Sequence, residues 1–170
     1  MLLPPVLFKL FGIDPLTFQT CYGRRAVRMF APEGDGACMI EVKHENMGDP
    51  IYSLQVSDGP DHTEISWDFL IANDPASPRF GTDLDAEGRD TLFGWATRNM
   101  DEECRALAEG YFPGQIRRGL GLTGAVNRCL EFFCLMFDIK SIKLEALFYH
   151  NAIAYERHGF AYFSGYRMMK

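Results

Sequence analysis

Residues 120–137, LGLTGAVNRCLEFFCLMF, are apolar over almost their whole length and open on a run dense in glycine and arginine. The run is too long for a buried strand, and it predicts a helix entered at the glycines and ending near Phe137. Its last two turns are apolar on nearly every face. A helix of that kind packs on a sheet and is covered by something else. Strand patterns flank it on both sides. Downstream, residues 141–148 alternate, with Ile142, Leu144, Ala146 and Phe148 on one side and Lys143 and Glu145 on the other. Upstream, residues 64–73 place Ile65, Trp67, Phe69 and Ile71 on one face and Ser66, Asp68 and Leu70 on the other. A strand, a long apolar helix and a second strand imply a layered α/β or α+β domain with one parallel strand pair flanking the helix.

Two further strands are predicted at 38–43 and 52–56, joined by loops rich in Gly, Asp and Pro, which makes an antiparallel meander. Residues 18–30 form a first strand candidate, closed by the turn cluster Pro32-Glu33-Gly34-Asp35-Gly36. Leu92, Phe93, Ala96, Met100, Cys104, Leu107 and Ala108 recur at helical spacing, and that helix ends by Gly110. A short helix at 151–157 and a final strand or hairpin at 160–169 complete the order. At 170 residues the expectation is a single domain spanning 1–170.

Composition narrows the function classes. A 47% hydrophobic share and 14% aromatic content are those of a packed core. The net charge of −6 argues against broad affinity for nucleic acid or an anionic membrane, and the basic cluster Arg24, Arg25 and Arg28 reads as solvated surface. Residues 120–137 approach membrane-spanning length, but Asn127, Arg128 and Glu131 favour a buried helix. Five scattered cysteines, Cys21, Cys38, Cys104, Cys129 and Cys134, show no metal-ligand spacing and read as buried thiols in a reducing compartment. Residues 1–16 lack the basic start and cleavage site of a signal peptide. The expectation is a soluble cytoplasmic protein with no metal.

The chemistry concentrates at Arg117, Arg118, Gly119, Leu120, Gly121, Leu122, Thr123 and Gly124. A helix N-terminus carries unpaired N–H groups and partial positive charge, and glycines let an anion approach them, so the expected guest is a phosphate. The segment lacks the Lys-Ser/Thr of a P-loop and the context of a Rossmann fingerprint. Downstream stands Tyr155-Glu156-Arg157-His158-Gly159-Phe160.

Together, Arg118-x-x-Gly121-x-Thr123, the long helix, the alternating strand, Asn151 and the Tyr-Glu-x-x-Gly-Phe block resemble the GNAT acyltransferase superfamily over about residues 115–165. Thr123 stands where that family has Gly or Ala, and Asn151 lies four residues before Tyr155. The resemblance implies a mixed, mostly antiparallel central sheet with helices on both faces and a helical insertion at about 76–114 before the phosphate loop. It implies acetyl-CoA or another acyl-CoA as cofactor, with pyrophosphate on the Gly119 to Gly124 backbone and Arg117 or Arg118. Pantetheine would pair along 67–73, an oxyanion donor would come from the backbone near Leu70 or Ile71, and Asn151 would help hold the cofactor.

Tyr155 matches the family's proton donor to the departing thiolate, and Asp68 is the first candidate base, ahead of Glu64 and Glu145. His150 is expected to face the cleft and His158 to be surface. The acidic run Asp101-Glu102-Glu103 reads as the solvated face of its helix. The implied activity is acyl transfer, most simply acetyl, to a primary amine of unread identity. Two alternatives are a non-catalytic acyl-CoA-binding or scaffold module, and a long-chain acyl transferase of the autoinducer-synthase type whose Phe-rich helix lines an acyl tunnel. A homodimer through a C-terminal strand is a further expectation.

Overall fold

The computed structural model describes residues 2–43, 48–92 and 96–164. Their elements are α1 (Pro5–Phe11), β1 (Val27–Phe30), β2 (Ala37–Val42), β3 (Tyr52–Asp58), β4 (Glu64–Ala72), α2 (Met100–Ala108), α3 (Thr123–Phe137), β5 (Ser141–Leu144) and α4 (Tyr149–Glu156). The class is α+β. A five-stranded sheet runs in the order β1-β2-β3-β4-β5, with β1 to β4 an antiparallel meander and β5 parallel to β4. The meander and the parallel pair expected from the sequence are both present. By contact density the chain forms two compact units, one holding the residues up to Ala72 and from Gly121 onward, the other Asn73–Leu120.

In the first unit, Val42, Tyr52, Leu54, Val56, Ile65 and Trp67 are buried, and the ladder registers place them on one face of the sheet. Val126, Leu130 and Cys134, each four residues apart, are the buried stripe of α3. The helix ends where Asp138 takes a left-handed conformation (φ 57°) and the Ile139 N–H bonds to the Cys134 carbonyl at 2.9 Å. From the N-terminal segment, Leu3, Leu7 and Phe8 are buried, and the Tyr52 hydroxyl donates to the Leu2 carbonyl at 3.1 Å. The apolar start of the chain, in which no helix was expected, is therefore helix α1 and core.

Several sequence expectations are corrected. The first strand spans only Val27–Phe30, because residues 18–25 fold into a tight turn with isolated bridges Ile13↔Thr20 and Gln19↔Arg25, and Phe18 is left-handed. The helix expected from Leu92 begins at Met100, where the Asn99 side chain accepts from the Glu102 N–H. Leu92 itself has φ 50°, and Phe93 lies outside the described residues. Strand β5 stops at Leu144, well short of Phe148. Residues 160–164 are not strand, and the remainder of that expected hairpin lies outside the described residues. Cys21 and Cys104 are exposed and only Cys134 is fully buried, so the cysteines are not uniformly core thiols. The last turns of α3 are not covered as expected, since Phe132, Leu135, Met136 and Phe137 are all exposed.

The second unit closes on itself. Its core is Phe80, Ala106 and Tyr111, with the two rings edge-on at 4.8 Å. The carboxylate of Asp85, almost fully buried, accepts from the Glu87 and Arg89 N–H groups and from Arg89 Nε at 2.8–3.0 Å. Those bonds, the Arg89 N–H first, hold its carboxyl below the ordinary range. Glu102 accepts from the Gly81 N–H at 2.9 Å, tying α2 to the loop before it.

Candidate functional site

The last ladder pair between β4 and β5 is Trp67↔Leu144. Beyond it β4 continues through Leu70, Ile71 and Ala72, which pair with β3 on one side and not with β5. The cause is local to both strands. The register changes from Gln55↔Phe69 to Val56↔Trp67, so Asp68 is the extra residue of a β-bulge, which bends β4 and increases its twist. On the other side, residues 145–148 leave the sheet and Phe148, in extended conformation, leads into α4. Two parallel strands thus pair over four residues and then part. The bulge also breaks the simple alternation expected along 64–73: Ile65 and Trp67 are buried, whereas Phe69, Leu70 and Ile71 are all half-buried.

Helix α4 places Tyr155 against the parting point. Its ring is 5.3 Å from that of Trp67, and Phe160 completes the cluster at 5.9 Å from Tyr155 and 6.2 Å from Trp67, all edge-on. Burial pushes the Tyr155 phenol up, so it stays protonated. Trp67 is 2% exposed, and its indole Nε1 has no hydrogen-bond acceptor among the described residues. A buried donor left without a partner costs about 1–3 kcal/mol. Neither the spacing nor the composition of the chain singled out this indole.

The entrance to α3 is uncapped by any side chain, and the first bond of its ladder is Val126 N–H to Leu122 O at 2.9 Å. The N–H groups of Thr123, Gly124 and Ala125 lie ahead of that ladder. Gly121 turns the chain into the helix with φ 67°, a conformation that favours glycine. Gly124 has a different role. A Cβ built on it would lie 2.7 Å from Cε1 of His158, so the missing side chain is the space the imidazole occupies. The sequence made His158 a surface residue; it is exposed, yet it rests on the first turn of α3.

The remaining sequence candidates divide by unit. Asp68 is exposed at the bulge, Glu145 is exposed just past β5, and Glu64 is engaged by Lys143 at 2.5 Å. Asn151, in the first turn of α4, is half-buried and its N–H bonds to the Phe148 carbonyl at 3.0 Å. His150 stacks on Phe148 at 5.6 Å, and burial pulls its pKa down. In the second unit, Arg117 Nη1 donates to the Ser77 carbonyl at 2.6 Å and the Arg118 guanidinium lies 5.8 Å over the Tyr111 ring. Asn73 bridges Gly119, and the Asp74 N–H bonds to the Arg118 carbonyl at 2.8 Å. The unit therefore ends where it began, and its closing residues Gly119 and Leu120 lead directly into Gly121.

Searches against protein-family models, curated proteins and solved structures return no match to this chain. Among the described residues no helix is long and apolar enough to cross a membrane.

Proposed function

We propose that the protein is an acyl-CoA-dependent N-acyltransferase of GNAT-like fold, using acetyl-CoA in the simplest case. The observation that carries this reading is the parting of the parallel strands β4 and β5 after Trp67 and Leu144, with Tyr155 packed against Trp67 and His158, three residues on, resting on the uncapped first turn of α3. Two features of the structure fit the cofactor. The edge of β4 at Leu70 to Ala72 has backbone groups toward β5 that no strand takes up among the described residues, suited to an extended amide-bearing chain. Oriented N–H groups at Thr123 to Ala125 suit a diphosphate, and Gly121 leaves the approach open, with no atom within 4 Å of where its side chain would begin.

The chemistry follows from these groups. The amine nitrogen attacks the thioester carbonyl carbon; the C–N bond forms, the C–S bond breaks, and the amine gives up a proton. A backbone N–H near Leu70 or Ile71 stabilises the oxyanion. The Tyr155 hydroxyl gives its proton to the departing thiolate. Its raised pKa keeps it in the donor form throughout the neutral range. Asp68, the extra residue at the bulge and exposed there, is the first candidate to take the amine's proton in this reading.

Calorimetry of the pure protein with acetyl-CoA, followed by thiol release over a panel of primary amines, tests the proposal. Saturable binding and turnover that falls at least tenfold in Tyr155→Phe are expected. Absence of binding to acetyl-CoA and CoA refutes it. Binding without turnover on any amine, unaffected by Tyr155→Phe, replaces it with a non-catalytic acyl-CoA-binding module.

A further inference from the structure

A cavity of about 760 Å³ lies within the first unit, between the C-terminal half of α3 and the sheet. Its walls are almost entirely apolar. Val27, Ile40, Val56 and Ile65 form the sheet side, and Phe133 and Met136 face them from α3. Met136 and Phe137, apolar and exposed at the end of α3, belong to its lining, so part of the apolar end of that helix faces this cavity. Ile65 belongs to the paired start of β4, so this cavity is at the opposite end of that strand from the edge at Leu70 to Ala72. The volume is that of a small-molecule site, and such sites combine apolar walls with a few polar groups that fix orientation.

The polar groups are at the rim. Arg25 lines the cavity and is exposed; its Nε donates to the Val27 carbonyl at 3.2 Å, which holds the guanidinium beside the opening. Among the described residues the only carboxylate in the lining, Asp58, is engaged by the His62 imidazole. An apolar chamber with an arginine fixed at its mouth is complementary to one chemical class, an alkyl chain ending in an anion, because the guanidinium fork matches a carboxylate.

We propose that this cavity binds a long-chain fatty carboxylate, its alkyl chain between α3 and the sheet and its carboxylate at Arg25. The site is separate from the acyl-transfer reading and does not depend on it. Burial of alkyl surface sets the affinity, so each added methylene tightens binding about fourfold until the chamber is full. The arginine sets the preference for acid over neutral lipid.

The test is calorimetric titration of the whole protein with decanoate, dodecanoate and tetradecanoate below their micelle concentrations, with dodecanol as the neutral control. One-to-one binding is expected, tightening with chain length, with dodecanoate preferred to dodecanol at least fivefold. Arg25→Ala, a change at an exposed position, removes the preference without loss of fold. Met136→Glu, also exposed, weakens every member of the series by tenfold or more through a charge in the wall. No binding of any chain, affinity independent of chain length, or an acid preference that survives in Arg25→Ala overturns the proposal. Retained circular dichroism in both variants shows that the comparison is between folded proteins.

Discussion

Leu130 and Leu135 are the same residue on the same helix, five positions apart, and they test which face of α3 holds the first unit together. Leu130 is 0% exposed and Leu135 is 81% exposed. Leu130→Ala removes three buried carbons, roughly 2.4 kcal/mol at about 0.8 kcal/mol per buried methylene. The stripe of Val126, Leu130 and Cys134 cannot collapse into the space because both neighbours are already packed, so a cavity term raises the cost to about 3–4 kcal/mol. For a chain of this size that corresponds to a melting temperature lower by roughly 6–16 °C. Leu135→Ala removes the same atoms from solvent and changes stability by no more than about 0.5 kcal/mol. Urea denaturation followed by circular dichroism at equal protein concentration reads both. A cost below about 1 kcal/mol for Leu130→Ala, or equal costs for the two variants, refutes the assignment of the buried stripe.

Other outcomes follow from the same geometry. Gly121→Ala forces a side chain into a left-handed conformation where no atom lies within 4 Å, so its cost of about 1–2 kcal/mol in chemical denaturation is purely conformational. Gly124→Ala places a methyl group in the space of the His158 ring. The far end of that side chain swings away, and a shifted His158 Cε1–H resonance with little change in stability is expected. His150 has a folded-state pKa pulled below its unfolded value by burial. The unfolded chain therefore takes up the proton first, and the His150 contribution to stability is intact above about pH 6.5 and declines as pH falls through the folded value. Denaturation across this range is shallower in pH dependence for His150→Gln; an unchanged slope contradicts the assignment.

The residues that were legible in the sequence are those whose pattern is set by one strong local rule. Strands β2, β3 and β4 are short β-prone runs between breaker-rich turns, and α3 carries a run too long for anything but a helix, so both appear within a residue or two of where they were expected. The parallel β4–β5 pair followed from the same order. What the sequence hid depends on contacts across the fold. Asp68 reads as an ordinary strand residue until the ladder with β3 skips it, and the early end of β5 at Leu144 follows from that divergence and not from any breaker. Gly124 looked like an opening for a ligand, but its space belongs to His158, thirty-four positions along the chain. The apolar end of α3 was read as covered because hydrophobicity alone cannot distinguish a closed core from an exposed face, of which Met136 and Phe137 line an open cavity and Phe132 and Leu135 do not. Arg117 and Arg118 read as phosphate ligands from their place before the glycines, while Ser77 and Tyr111, which they contact, are some forty and seven residues upstream.

Amide hydrogen exchange with and without acetyl-CoA tests the proposed cofactor site, because it reports where the cofactor lies as well as whether it binds. Slowed exchange confined to Leu70 to Ala72 at the edge of β4 and Thr123 to Ala125 at the entrance of α3 is expected. Exchange at these two segments that is unchanged at saturating acetyl-CoA, or protection found only elsewhere on the sheet, contradicts it.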